Sequence, residues 1–301
     1  MTQDLPLDVL LVPMRTCVQD DFEQDFGFSR AAVGTATTGL WERAAPSQTT
    51  SGGVTLQPGT QTTPGGSFCW VTDGRPGASV GSFDVDSGYT DLLSPVMDLS
   101  HVSAASITVD LFYGESVGND ALLVELSRDG GSSWGPLYSR NVSTGSWLSL
   151  DLPLSAPFTA EMVVRVRAQD FAPSLVEASI DGFQVKAAVD DGAVTLFGSG
   201  KLGTNMRVGM NSSLGTLLLP IGALGRGPGL TAPGVLGTML LDPLTVALFP
   251  LQAMTTDDYA SIDLALPVQA GLIGVDLSFQ TVLVANGSFA FGSNAPVVTL
   301  N

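Results

Sequence analysis

Short stretches in which apolar and polar residues alternate, each cut off by glycine or proline, constrain this chain more than any other feature. Residues 106–113 (SITVDLFY), 122–127 (LLVELS) and 162–168 (MVVRVRA) keep a two-residue period, and residues 180–186 (IDGFQVK) close a further run. A period of two places one side-chain set against a core and the other in water, which is the pattern of a half-buried strand. Between the runs lie Asp129-Gly130-Gly131, Asn141, Ser155-Ala156-Pro157 and Ala172-Pro173, all turn-forming combinations. The chain carries 35 glycines and 18 prolines in 301 residues, so few windows are long enough for a helix. Many short strands at regular spacing predict an all-β protein of antiparallel sandwiches. Residues 44–66, polar and rich in Thr, Gly and Pro, predict an irregular surface excursion rather than a strand pair.

The charge distribution divides the chain. Residues 1–190 carry a net charge of -14 and residues 191–301 only -3. The second part has its own strand candidates at 215–219, 236–241, 244–249, 260–266 and 274–284, separated by Pro220, Pro233, Pro243, Pro250 and Pro267. Asp190-Asp191-Gly192 is the candidate linker. The expectation is two tandem antiparallel β-sandwiches, the first a jelly roll over 16–189 and the second over 190–301, with 1–15 as an N-terminal strand or linker. No internal repeat relates the halves.

The same composition excludes several functions. A net charge of -17 and a pI near 4.1 leave no basic footprint for nucleic acid. No apolar run reaches about 18 residues, so no helical membrane span is expected. His101 is the single histidine; no HExxH pair, nucleophile elbow, Walker loop or dinucleotide fingerprint accompanies it, and an exposed loop position is expected for it. The start of the chain lacks a basic segment and a small-residue cleavage site. With only two lysines and an acidic Thr/Ser/Gly-rich composition, a mature or trimmed secreted or cell-surface protein is the expectation. Cys17 and Cys69 are candidates for one disulfide in an oxidising compartment, with two buried thiols as the alternative.

The first part resembles a jelly-roll module of secreted bacterial proteins, related in style to carbohydrate-binding modules and MAM-type domains. The matching segments are residues 20–23 (DDFE), 39–43 (GLWER), 63–72 (TPGGSFCWVT), 84–88 (DVDSG), 93–100 (LSPVMDLS), 126–134 (LSRDGGSSW) and 176–185 (VEASIDGFQV). The second part resembles the Gly/Leu/Pro-rich C-terminal domain of planctomycete-type extracellular proteins, through residues 197–200 (FGSG) and its leucine-rich alternating strands. The first resemblance implies a non-catalytic accessory or adhesive role, and a structural calcium between the opening acidic segment and the closing Ile-Asp strand. On this chain those positions are Asp21, Glu23 and Asp181.

A second calcium set comes from the residues themselves. Asp84 and Asp86, two apart before Gly88, let a loop wrap a hard cation with carboxylates and backbone carbonyls. The aromatic residues supply a candidate binding surface, because exposed rings stack on sugar faces while buried rings fill cores. Trp41 and Tyr89 are the ligand-binding candidates; Trp70 and Trp134 are assigned to the core or to bracing turns. Glu42, Glu115 and Glu177 are candidates for a glycosidase acid pair. The apolar segment 5–14 (LPLDVLLVPM), bracketed by Pro6 and Pro13, suits strand donation between copies. The leading expectation is therefore a calcium-stabilised extracellular module that binds a glycan or protein surface. The alternatives are a filament or surface-layer subunit that pairs with itself, and a glycoside hydrolase.

Overall fold

The structure is a computed structural model that describes residues 14–75, 80–117, 119–171, 174–213, 216–254 and 258–301. The expected all-β architecture is present: among the described residues, strands make up every regular element except one 3-10 turn at Ala270–Leu272. Most of the donated-strand segment 5–14 lies outside the described residues. No helix among those described is long and apolar enough to cross a membrane.

Two sheets form the first half. The six-stranded sheet runs Leu148–Leu154, Ala105–Glu115, Val176–Ala188, Cys69–Thr72, Trp41–Ala44, with Met14–Asp20 also paired to the long strand Val176–Ala188. The five-stranded sheet runs Gly135–Arg140, Ala121–Ser127, Val163–Asp170, Gly88–Leu93, Ser29–Arg30. All their pairings are antiparallel. The sheets enclose one apolar core that includes Ile107, Val109, Leu111, Leu122, Val124, Val164, Val166 and Ile180. The two-residue period of the sequence thus does what it predicts: Leu122, Val124 and Leu126 face inward while Leu123 and Glu125 face outward and are only half-buried. Residues 44–66 depart from expectation. They contain a small hairpin, Thr49–Ser51 with Val54–Gln57, and it buries Leu56 against Gly114.

The second half is less regular. Val194–Phe197, Asn205–Asn211 and Tyr259–Ala265 form a three-stranded sheet. A seven-stranded sheet is built around Leu217–Leu224 and Asp276–Ala285, and a two-stranded one from Arg226–Leu230 and Met239–Leu241. One pair, Val235–Leu236 with Ser288–Phe291, is parallel.

Backbone pairing changes over near residue 190, but side-chain packing crosses that point. Val189, Ala193 and Phe197 belong to the first core, where Phe197 packs with Phe26, Phe28 and Phe183. The expected linker is a packed junction rather than a free tether. Asp191 pairs with Arg15 at 2.6 Å, and the Gly192 carbonyl accepts from Thr281 Oγ1 at 2.5 Å.

Candidate functional site

The outward face of the five-stranded sheet carries an ordered set of rings and charges. Strand register places Arg165 beside Leu93 and Glu125, and Arg167 beside Asp91 and Leu123. These are outward positions of neighbouring strands, close enough for direct side-chain pairing. Arg167 donates from Nε and Nη2 to the two oxygens of Asp91 at 2.6 and 2.7 Å. Arg165 pairs with Glu125 at 2.6 Å and lies 3.7 Å from Asp91. Each guanidinium also covers an aromatic ring: Arg167 lies 3.9 Å from the centroid of Tyr89, and Arg165 lies 4.2 Å from that of Trp134. Bidentate pairing fixes a guanidinium in plane, and a fixed guanidinium in turn holds the ring against which it stacks. Both rings remain half-buried, so part of each faces solvent.

At the Trp134 end this face opens into a cleft of about 430 Å³. Its walls include Leu93, Trp134 and Val163 from the first half and Leu196, Ser199 and Val298 from the second. A second cleft of about 410 Å³ lies over the six-stranded sheet, lined by Gln19, Asp21, Thr108, Asp110, Gln184 and Lys186 among others, without an aromatic ring.

Of the two ligand-binding candidates, Tyr89 lies on this face and Trp41 does not. Trp41 is 2% exposed inside the sandwich, and its indole N–H donates to the Thr90 carbonyl at 3.1 Å. The correction has a structural cause: pairing with Cys69–Thr72 sets Trp41 opposite fully buried Thr72 and turns its ring inward. Trp134 was assigned to core or turn. It sits in the loop just before the strand Gly135–Arg140, and its ring reaches the outer face by stacking against the Arg165 guanidinium.

Of the two readings open for the cysteines, the structure shows the free thiols. Cys17 and Cys69 are both buried free thiols; Cys17 Sγ lies 3.3 Å from the Val185 carbonyl. Desolvation pushes the Cys17 thiol up to about 12, and raises that of Cys69 as well. His101 is not fully exposed either. Its Nε2 is buried without a hydrogen-bond partner among the described residues, and burial lowers its pKa.

The acids proposed from resemblance do not converge. Asp181 accepts from the backbone N–H groups of Thr62, Thr63 and Gly182 at 2.7, 3.0 and 2.8 Å, so its oxygens are enclosed by donors. Glu23 accepts from the N–H groups of Ser67 and Phe68, and Asp21 from that of Glu23. Each carboxylate ties down a loop through these hydrogen bonds. Asp84 is different: it is 2% exposed and neither oxygen has a hydrogen-bond partner among the described residues. Burial first, and then the Asp86 charge, push its pKa up to about 6. Among the described residues no three His, Cys, Asp or Glu side chains gather as a metal cluster.

Glu42, Glu115 and Glu177 do not assemble into an acid pair around one cleft. Glu42 accepts from the Gly74 N–H and borders a small cavity with Asp73 and Arg75; Glu115 and Glu177 are not part of its lining. Glu177 is buried, accepts from Thr72 Oγ1 at 2.9 Å, and burial raises its pKa well above the usual carboxylate range.

No family model matches the chain, and no curated protein matches it. Among solved structures it is similar to the CBM22-1 xylan-binding domain of Xyn10C from Paenibacillus barcinonensis, at 13% identity and a TM-score of 0.35. That match covers 59% of this chain and 97% of the other. The tandem CBM22-1–CBM22-2 domains of the same protein match at 13% identity and a TM-score of 0.30, covering 95% of this chain and 98% of the other.

Proposed function

We propose that this chain is a non-catalytic, extracellular glycan-binding module, and that it binds through the outer face of the five-stranded sheet. The observation that carries the reading is the pair of rings, Tyr89 and Trp134, each held by an arginine that is itself held by a carboxylate. Sugar rings present flat C–H faces edged by hydroxyls. A surface that recognises them needs fixed aromatic rings for the faces and fixed polar groups for the rims; Arg165, Arg167 and Glu125 supply the latter, and buried Asp91 holds Arg167 in place. Because the arginines are already ion-paired, little side-chain ordering remains to be done on binding. The net charge of -17 favours a neutral polysaccharide over a uronate-rich one.

The test is affinity electrophoresis and titration calorimetry of the intact chain against soluble xylan, mixed-linkage β-glucan, galactomannan and polygalacturonate. Binding to a neutral polymer that falls about tenfold or more, about 1.4 kcal/mol, in Tyr89→Ala and Trp134→Ala is expected. Binding unaffected by either substitution places the site elsewhere; retention by none of the polymers overturns the reading.

A further inference from the structure

We propose a calcium site at the end of the first sandwich, formed by Asp84 and Asp86 with the hydroxyls of Ser116 and Ser174. These four residues, with Gly81 and Leu175, line a cavity of about 330 Å³, and none of them is basic. Asp84 supplies the decisive observation, since a buried carboxylate with both oxygens unpartnered is among the costliest groups a fold can hold. Native structures rarely leave such a group without a counter-charge or an ion.

The backbone N–H groups of Asp84 and Val176 lie near the carboxylate without making a hydrogen bond to either oxygen, and the hydroxyls around it are already shared. Thr38 Oγ1 has one proton but lies 2.8 Å from the Asp84 carbonyl oxygen and 3.0 Å from Asp86 Oδ2. Ser174 Oγ lies against Asp120 Oδ2 and 3.1 Å from Asp170 Oδ1, again one proton between two carboxylates. Asp120 and Asp170 are themselves buried. Four acids therefore crowd this end of the sandwich. The contrast with Asp181, wrapped by three backbone N–H groups, distinguishes a carboxylate satisfied by protein from one that is not.

The donor set selects the ion. Carboxylates and hydroxyls are hard oxygen ligands, and no histidine or cysteine lines the cavity, so zinc and copper are disfavoured. Only two carboxylates face the space, so water completes the shell. A dissociation constant on the order of 0.1–1 mM follows, as for extracellular calcium modules. Magnesium, which demands a tighter octahedron and gives up water reluctantly, fits less well. The inference does not depend on glycan binding.

The experiment uses the full chain stripped of metal with a chelator. Calorimetric titration and thermal melting are measured with calcium chloride, with magnesium chloride as control. Calcium at about 10 mM is expected to raise the melting temperature by about 2–4 °C, with little effect of magnesium. Asp84→Asn and Asp86→Asn should each abolish the calcium-dependent shift while keeping the β-sheet circular dichroism signal, and Asp181→Asn should keep the shift. If Asp84→Asn alone fails to fold, Asp86→Asn decides the question. A melting temperature indifferent to calcium in the wild type overturns the proposal, as does a shift that survives in both Asp84→Asn and Asp86→Asn.

Discussion

Arg207 reaches from the three-stranded sheet of the second half to Phe26 of the first, its guanidinium 4.3 Å from the ring centroid. The same side chain donates to both oxygens of Asp263 at 2.7 and 2.9 Å and to the Gln19 carbonyl. One residue thus joins a strand of its own sheet, the first strand of the other half, and an aromatic cluster between them. Nearby, Asn211 Nδ2 donates to the Thr16 carbonyl, and Gly209 faces the Cys17 carbonyl so closely that a Cβ there would stand 2.6 Å from the oxygen.

This packing predicts one cooperative unit at the junction. Limited proteolysis should spare residues 187–203, where Ala187 to Val189 and Ala193 to Phe197 are buried. Gly209→Ala should destabilise the chain by about 1–3 kcal/mol, because the backbones must separate to admit a methyl group. Rapid cleavage inside that window, yielding two folded fragments, would contradict the arrangement.

The two aromatic classes should separate in mutants. Trp41→Ala leaves a cavity in the sandwich and is expected to cost about 3–5 kcal/mol in denaturant unfolding. Tyr89→Ala and Trp134→Ala, on the outer face, should cost far less stability and act on binding. Comparable losses of stability at all three positions would show that the outer rings are structural.

Both thiols should be silent in the native protein. Cys17 and Cys69 are buried, and desolvation disfavours the thiolate that reacts. A thiol reagent at pH 8 is expected to label neither in native protein and both after unfolding in denaturant without reductant. If the unfolded, unreduced chain stays unlabelled, the cysteines are bonded.

His101 should titrate below its ordinary value of 6.5, because desolvation outweighs the nearby charges of Asp98 and Asp190. The sign follows from linkage: the unfolded state takes up the proton first, so this residue's contribution is complete above about pH 6.5 and declines as the pH falls below it. As the single histidine, its ring Cε1–H resonance can be followed directly by NMR. A midpoint at or above 6.5 would mean that Asp98 and Asp190 dominate.

The all-β class and the inward set of several strands are legible in local alternation. Alternation is a local property, and strands such as Ala121–Ser127 and Val163–Asp170 obey it over six and seven residues. The proximity of Asp84 to Asp86 and the outward place of Tyr89 in a six-residue strand are likewise local properties. The sequence by itself could not orient Trp41, where four residues give too little period to define a face. It could not bring Trp134 beside Arg165, which depends on pairing between strands far apart in the chain. Nor could it show that Asp181 is enclosed by the 62–63 backbone while Asp84 is not. The tertiary structure alone decided those matters, because hydrogen-bond satisfaction and burial depend on which distant backbone groups arrive at a side chain, and no local pattern encodes that.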